Sequence, residues 1–87
     1  MTDETLSVVV QRVDPKANAY RYYVLSIEPN LFEGVSLVRE WGRIGARGQS
    51  ATELHPDLAG ARVALDVWLR RKLRRGYVRP PVQTHKL

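Results

Sequence analysis

The chain has 87 residues, a net charge of +5, 44% hydrophobic and 26% charged residues, and no cysteine. That is the length of one small domain with one modest core, with the balance of an ordinary soluble globular protein rather than a disordered or fibrous one. The missing cysteine excludes disulfides and thiolate metal sites, and no apolar run approaches the roughly 18 residues of a membrane span.

The N-terminus, MTDETLSVVVQ, starts acidic and its apolar run is short, unlike a signal peptide, so a cytoplasmic location is expected. Residues 6–13, LSVVVQRV, are β-branched and predict a strand. DPKAN (14–18) is a turn cluster. YRYYVLSIE (20–28) predicts a second strand, with Tyr20, Tyr22 and Val24 on one face and Tyr23, Leu25 and Ile27 on the other. PNLFEG (29–34) reads as a loop and VSLVREWGRI (35–44) as a third strand. GARG (45–48) suits a hairpin turn, because glycine takes the positive φ such turns need, and QSATEL (49–54) makes a weaker fourth strand.

The period then changes to that of a helix over residues 55–76, with Asp57 to cap its start and Gly76 to close its end. On the helical wheel Ala61, Ala64, Leu65 and Trp68 share a face directed at the sheet. Lys72 and Arg75 continue that face, so this end of the helix must overhang the sheet or carry its charges out to the rim. The remainder, YVRPPVQTHKL, reads as extended and loosely ordered at its end. Strands followed by one helix predict an α+β domain: an antiparallel sheet of four to five strands with the helix across one face. One domain spans residues 1–87, its core about residues 6–78 and its tail 79–87.

Charge is unevenly placed. Residues 67–87 hold seven Lys/Arg and no Asp or Glu, whereas residues 1–66 hold seven Lys/Arg and nine Asp/Glu, so the excess of +5 comes from the C-terminal quarter. A concentrated basic patch attracts polyanions, nucleic acid first among them. The plainer reading is that these cations complement a helix C-terminus or keep the chain soluble.

Strand alternation also puts Arg39, Trp41 and Arg43 on one face. Arginine forks fit phosphates bidentately, and the indole offers a flat surface for a sugar or base. Gly42 between them leaves room for a backbone to approach. The competing reading makes Trp41 a core residue with Arg39 and Arg43 stacked over it. Enzymatic readings fare worse. His55 and His85 lie far apart with no carboxylate motif nearby, which makes neither a metal site nor a catalytic triad. The carboxylates Glu28, Glu33, Glu40, Glu53, Asp57 and Asp66 are scattered and call for nothing beyond surface charge. GRIGARG lacks the lysine and the following helix of a phosphate loop. No cofactor is called for.

REWGRIGARGQS (39–50) resembles the defining motif of the WGR domain family, named for the Trp41-Gly42-Arg43 triplet. NAYRYY (18–23) is similar to the family's asparagine, basic and paired-aromatic strand, and ALDVWLRRKLRRGY (64–77) to its basic helix with a late Gly-aromatic pair. The resemblance runs from about residue 8 to 78, and implies a few antiparallel strands with one helix across them. It implies a short bacterial protein of the standalone kind, without a transferase domain and so without catalysis. In poly(ADP-ribose) polymerases such domains bind DNA at strand breaks, the tryptophan packing on a terminal sugar. Carried over, this makes Trp41 and Arg43 the first candidates, and puts Asn18, Lys72 and Tyr77 near a terminal phosphate. The helix is richer in arginine than is usual for the family, with Arg70, Arg71, Arg74 and Arg75.

The expectation is therefore a non-catalytic nucleic-acid-binding module, for DNA more than RNA, using Trp41, Gly42, Arg43, Arg39, Lys72, Arg75, Tyr77 and Asn18. The alternative is a protein-interaction adaptor or homodimer that uses the same Trp/Arg face.

Overall fold

A computed structural model describes residues 6–30 and 33–80. Four strands, β1 (Leu6–Asp14), β2 (Ala19–Pro29), β3 (Val35–Arg43) and β4 (Gln49–His55), precede one helix, α1 (Leu58–Arg74). The strands form a single antiparallel sheet in the order β1-β2-β3-β4. This is the α+β architecture expected, and it follows from consecutive hairpins with short connections.

The turns show why the elements end where they do. Between β1 and β2, Pro15–Ala17 make one short 3-10 turn, closed by Asn18 in the left-handed region at φ 51°. Asparagine tolerates that conformation better than most residues. Between β3 and β4 the chain reverses through Gly45 at φ 88°. The Oδ1 of Asp57 accepts the Gly60 N–H at 2.8 Å and so caps α1. At the other end Arg75 is the C-cap, and Gly76 takes φ 94°, the left-handed step that lets the chain leave the helix.

The core forms between α1 and one sheet face. Val10, Tyr23, Leu25, Ile27 and Leu37 supply the sheet side, and Ala61 and Leu69 the helix side. Burying each large aliphatic side chain stabilises the fold by about 1.5–3 kcal/mol. Ala64, Leu65 and Trp68 pack half-buried around them. Leu69, set to one side of the stripe that the wheel picked out, is more buried than any of those three. The sheet twists beneath the helix, so the contact stripe drifts sideways along it.

The C-terminal segment is better anchored at its start than its composition suggests. Tyr77 is buried, and Val78 exchanges two backbone hydrogen bonds of 2.8 Å with Gln11 at the β1 edge. His85 and Lys86 lie outside the described residues.

Candidate nucleic-acid interface

Register decides which side chains share the helix-covered face. Partners across an antiparallel pair point the same way. Val10, Tyr23, Trp41 and Gln49 therefore form one row across all four strands. The next row outward is Arg12, Arg21 and Arg43. Three arginines in line on one face repel, a cost that a sheet does not accept without return. Arg12 has Asp14 at 3.8 Å, at the edge of an ion pair. Arg21 makes no ion pair among the described residues. Arg43 turns aside, its guanidinium 3.5 Å from the Asn18 carbonyl, 3.4 Å from the Asn18 side-chain oxygen and 5.2 Å from the Tyr20 ring centre.

Lys72 comes down on this corner from the last turn of α1. Its Nζ lies 4.4 Å from the ring centre of Tyr23 and 5.4 Å from that of Tyr77. The ring faces supply part of the lost hydration, and no carboxylate pairs with it among the described residues. Burial pushes the Lys72 ammonium below the usual lysine range, and Arg75, Arg39 and Arg21 push it further the same way.

Trp41 is half-buried, stacked on Tyr23 with ring centres 6.0 Å apart and planes at 24°. The Arg-Trp-Arg face is therefore part of the core face, as the competing sequence reading had it for Trp41. Trp41 nevertheless lines a depression of about 350 Å³ with Asn18, Arg21, Gly42, Arg43, Arg47, Gly48 and Gln49. A second depression, about 240 Å³, is lined by Arg12, Arg21, Lys72, Arg75 and Tyr77. Arg21 belongs to both, so they form one cationic corner, and no carboxylate lines either.

The structure thus brings Asn18, Trp41, Gly42 and Arg43 together in one depression and Lys72, Arg75 and Tyr77 in its neighbour. Arg39 stands apart. Its guanidinium carbon lies 3.9 Å from the Trp68 ring centre and 5.4 Å from that of Trp41. Its Nη1 donates to the Tyr23 hydroxyl at 3.2 Å, and its Nε sits 3.4 Å from Glu53. Gly42 faces away from the helix, where an added Cβ would come within 2.8 Å of the Gly48 Cα and 3.3 Å of the Tyr22 ring. What its missing side chain admits within the fold is therefore the hairpin's own backbone.

Glu53 corrects the reading of the carboxylates as mere surface charge. One of its oxygens accepts the Trp68 indole N–H at 3.0 Å and approaches Arg39, while the other lies 3.3 Å from the His55 Nε2. It ties α1 to β3 through β4. Arg12, Arg21 and Arg47 are the lining residues that the motif reading passed over. Alternation held a signal for two of them. Arg12 follows Val10 by two and Arg21 precedes Tyr23 by two, so both extend an inward-facing apolar row with a cation.

Among the described residues no helix is long and apolar enough to cross a membrane, and no cluster of His, Asp or Glu could hold a metal ion. Comparison with known proteins returns the WGR domain family model over residues 6–84. A curated relative, the uncharacterized protein y4dW of Sinorhizobium fredii, is 44% identical over 78 residues, covering 88% of this chain and 38% of that protein. The chain thus spans well under half the length of the relative. No solved structure matches it significantly. The motif geometry and the extent of the family match lead to one conclusion: the chain belongs to the WGR domain family, a non-catalytic type of nucleic-acid-binding domain.

Proposed function

We propose that this domain binds DNA at strand ends, through the corner where β1, β2 and β3 meet the last turn of α1. One observation carries the reading: a row of three arginines runs beside the row that holds Tyr23 and Trp41, a half-buried lysine lies over Tyr23, and no carboxylate lines the two depressions they share. Arg21 and Lys72 have no carboxylate partner among the described residues, and a phosphate between them would supply an anionic partner to both. Trp41 presents an indole edge and part of a face to a terminal sugar or base. Arg43 and Arg21 hold the adjoining phosphate, and Lys72, Arg75 and Tyr77 form the far wall. Asn18 holds the Arg43 guanidinium at the margin of the site, from which it swings to the phosphate. Arg39 acts from behind, as a brace between Trp41 and Trp68. The ligand is read through its backbone and its terminus rather than its base sequence, because no helix here presents amide side chains to base edges.

The test is a titration of tryptophan emission with short duplexes at several salt concentrations, comparing open 5′-phosphorylated ends with hairpin-closed ends. Open ends should bind more tightly. About four phosphate contacts should give a log–log salt slope of roughly −3 to −4. Equal binding to both duplexes would refute the preference for ends. No binding to either, with Trp41 hidden in a dimer, would favour the adaptor.

A further inference from the structure

The last two turns of α1 carry more cations than the strand-end corner uses. A third depression, of about 390 Å³, is lined by Trp68, Arg71, Lys72, Arg74 and Arg75. Lys72 and Arg75 also line the pocket beside Arg21, so this groove continues directly from the corner around the end of the helix. The helix sorts its arginines. Arg70 is spent on Asp66 at 3.0 Å, one turn back on the outer surface. Arg71, Arg74 and Arg75 have no such partner among the described residues.

Arg71 is positioned without its donors being used among the described residues. Its guanidinium carbon lies 5.0 Å from the ring centre of Trp68. That ring is itself fixed by its bond to Glu53 and by Arg39. A guanidinium held near an indole keeps its N–H fork free for an anion. Complementing the helix dipole cannot account for the whole set, since a helix C-terminus presents only about half a negative charge. Four cations line this groove, and no carboxylate does.

We infer that the groove formed by Trp68, Arg71, Arg74 and Arg75 holds the phosphodiester backbone of the strand that continues beyond the end gripped at Trp41. This rests on the strand-end reading. It adds that the domain holds a run of consecutive phosphates wrapped around the helix terminus, not a terminus alone. The shared chemistry is a phosphodiester chain, which an unpaired overhang or the duplex's own strand could supply.

The test uses the Arg71→Gln/Arg74→Gln double variant on two 5′-phosphorylated hairpins with one open end, one blunt and one with a single-stranded 3′ overhang. Affinity is followed by fluorescence anisotropy across a salt series. Both arginines are exposed, so the variant should fold, as circular dichroism would check. Losing two charge-assisted contacts should weaken binding about a hundredfold or more. The salt slope should fall by about 1.8 on the duplex strand, or by about 1.4 on an unpaired strand. A loss confined to the overhang probe assigns the groove to an unpaired strand, and a loss on both assigns it to the duplex strand. Arg70→Gln removes one such charge outside the groove and should bind as the wild type does. Wild-type affinity and slope in the double variant would overturn the inference while leaving the strand-end reading intact. So would an equal loss in Arg70→Gln, which would mark diffuse charge. A wild-type protein that binds neither probe would overturn both readings.

Discussion

Replacing Lys72 with methionine separates what the fold needs from what the ligand needs. The Lys72 ammonium lies near the Tyr23 and Tyr77 rings, and methionine of similar length should fill the same space. The ammonium's two ring contacts, at 4.4 and 5.4 Å, are worth about 0.5–1 kcal/mol each. Sulfur against the same rings returns about 0.3–1.5 kcal/mol. Removing a poorly hydrated charge from beside Arg75, Arg39 and Arg21 works in the variant's favour. The stability of Lys72→Met should therefore stay within about 1 kcal/mol of the wild type or exceed it. Binding should behave otherwise. One charge-assisted contact to phosphate is worth about 1.5–3 kcal/mol, and its loss should flatten the duplex salt slope by about 0.9.

The dependence on pH has a definite sign. The unfolded chain holds Lys72 at the ordinary 10.5, and the folded chain releases the proton at lower pH. Between those two values the unfolded state binds more protons, so Lys72 makes stability rise with pH in that window, and below it the cost is constant. The wild type's binding advantage over Lys72→Met should accordingly begin to fade as pH rises, before 10.5 is reached, because the folded domain gives up that proton early. Urea denaturation and anisotropy titrations across alkaline pH measure both. A variant that loses several kcal/mol of stability yet binds as tightly per folded molecule would refute the reasoning and make Lys72 a structural residue.

Four other substitutions probe the scaffold around the corner. Trp41→Ala removes a half-buried ring stacked on Tyr23 and should cost about 3–4 kcal/mol of stability, so its binding defect must be read at a temperature where denaturation curves show it folded. Gly48→Ala would put a Cβ 2.1 Å from the Tyr22 hydroxyl and 2.2 Å from the Trp41 carbonyl oxygen. It should cost about 3 kcal/mol in thermal unfolding, whereas Gly45→Ala, with open space but φ 88°, should cost only about 1 kcal/mol. Glu53→Ala strips the Trp68 indole of its acceptor and leaves Arg39 without a counter-ion. A loss of about 2 kcal/mol is expected, along with a shift of tryptophan emission; an unchanged spectrum would mean that the contact does not order Trp68.

Much of this domain is legible along the chain because the signals are local. β-branched alternation marks the strands, Asp57 and Gly76 bracket the helix, and Gly45 supplies a positive φ in the hairpin. The WGR triplet with its flanking blocks is enough to name the family. The wheel likewise showed that Lys72 shares the face of Trp68. Which sheet face the helix would cover was not local. It depends on burying Tyr23, Leu25 and Ile27, residues far from α1 in sequence, and that choice turned the Arg39-Trp41-Arg43 face toward the core. The alignment of Arg12, Arg21 and Arg43 is a matter of register, set by two hairpins together. The role of Glu53 needs three elements to meet at one carboxylate. The return of Val78 to Gln11 closes an edge that no pattern in the tail announces. Sequence determined the elements and the stock of charges. Only tertiary packing decided which cations would be left facing one another without a counter-ion, because desolvation and repulsion exist only once distant residues share a surface.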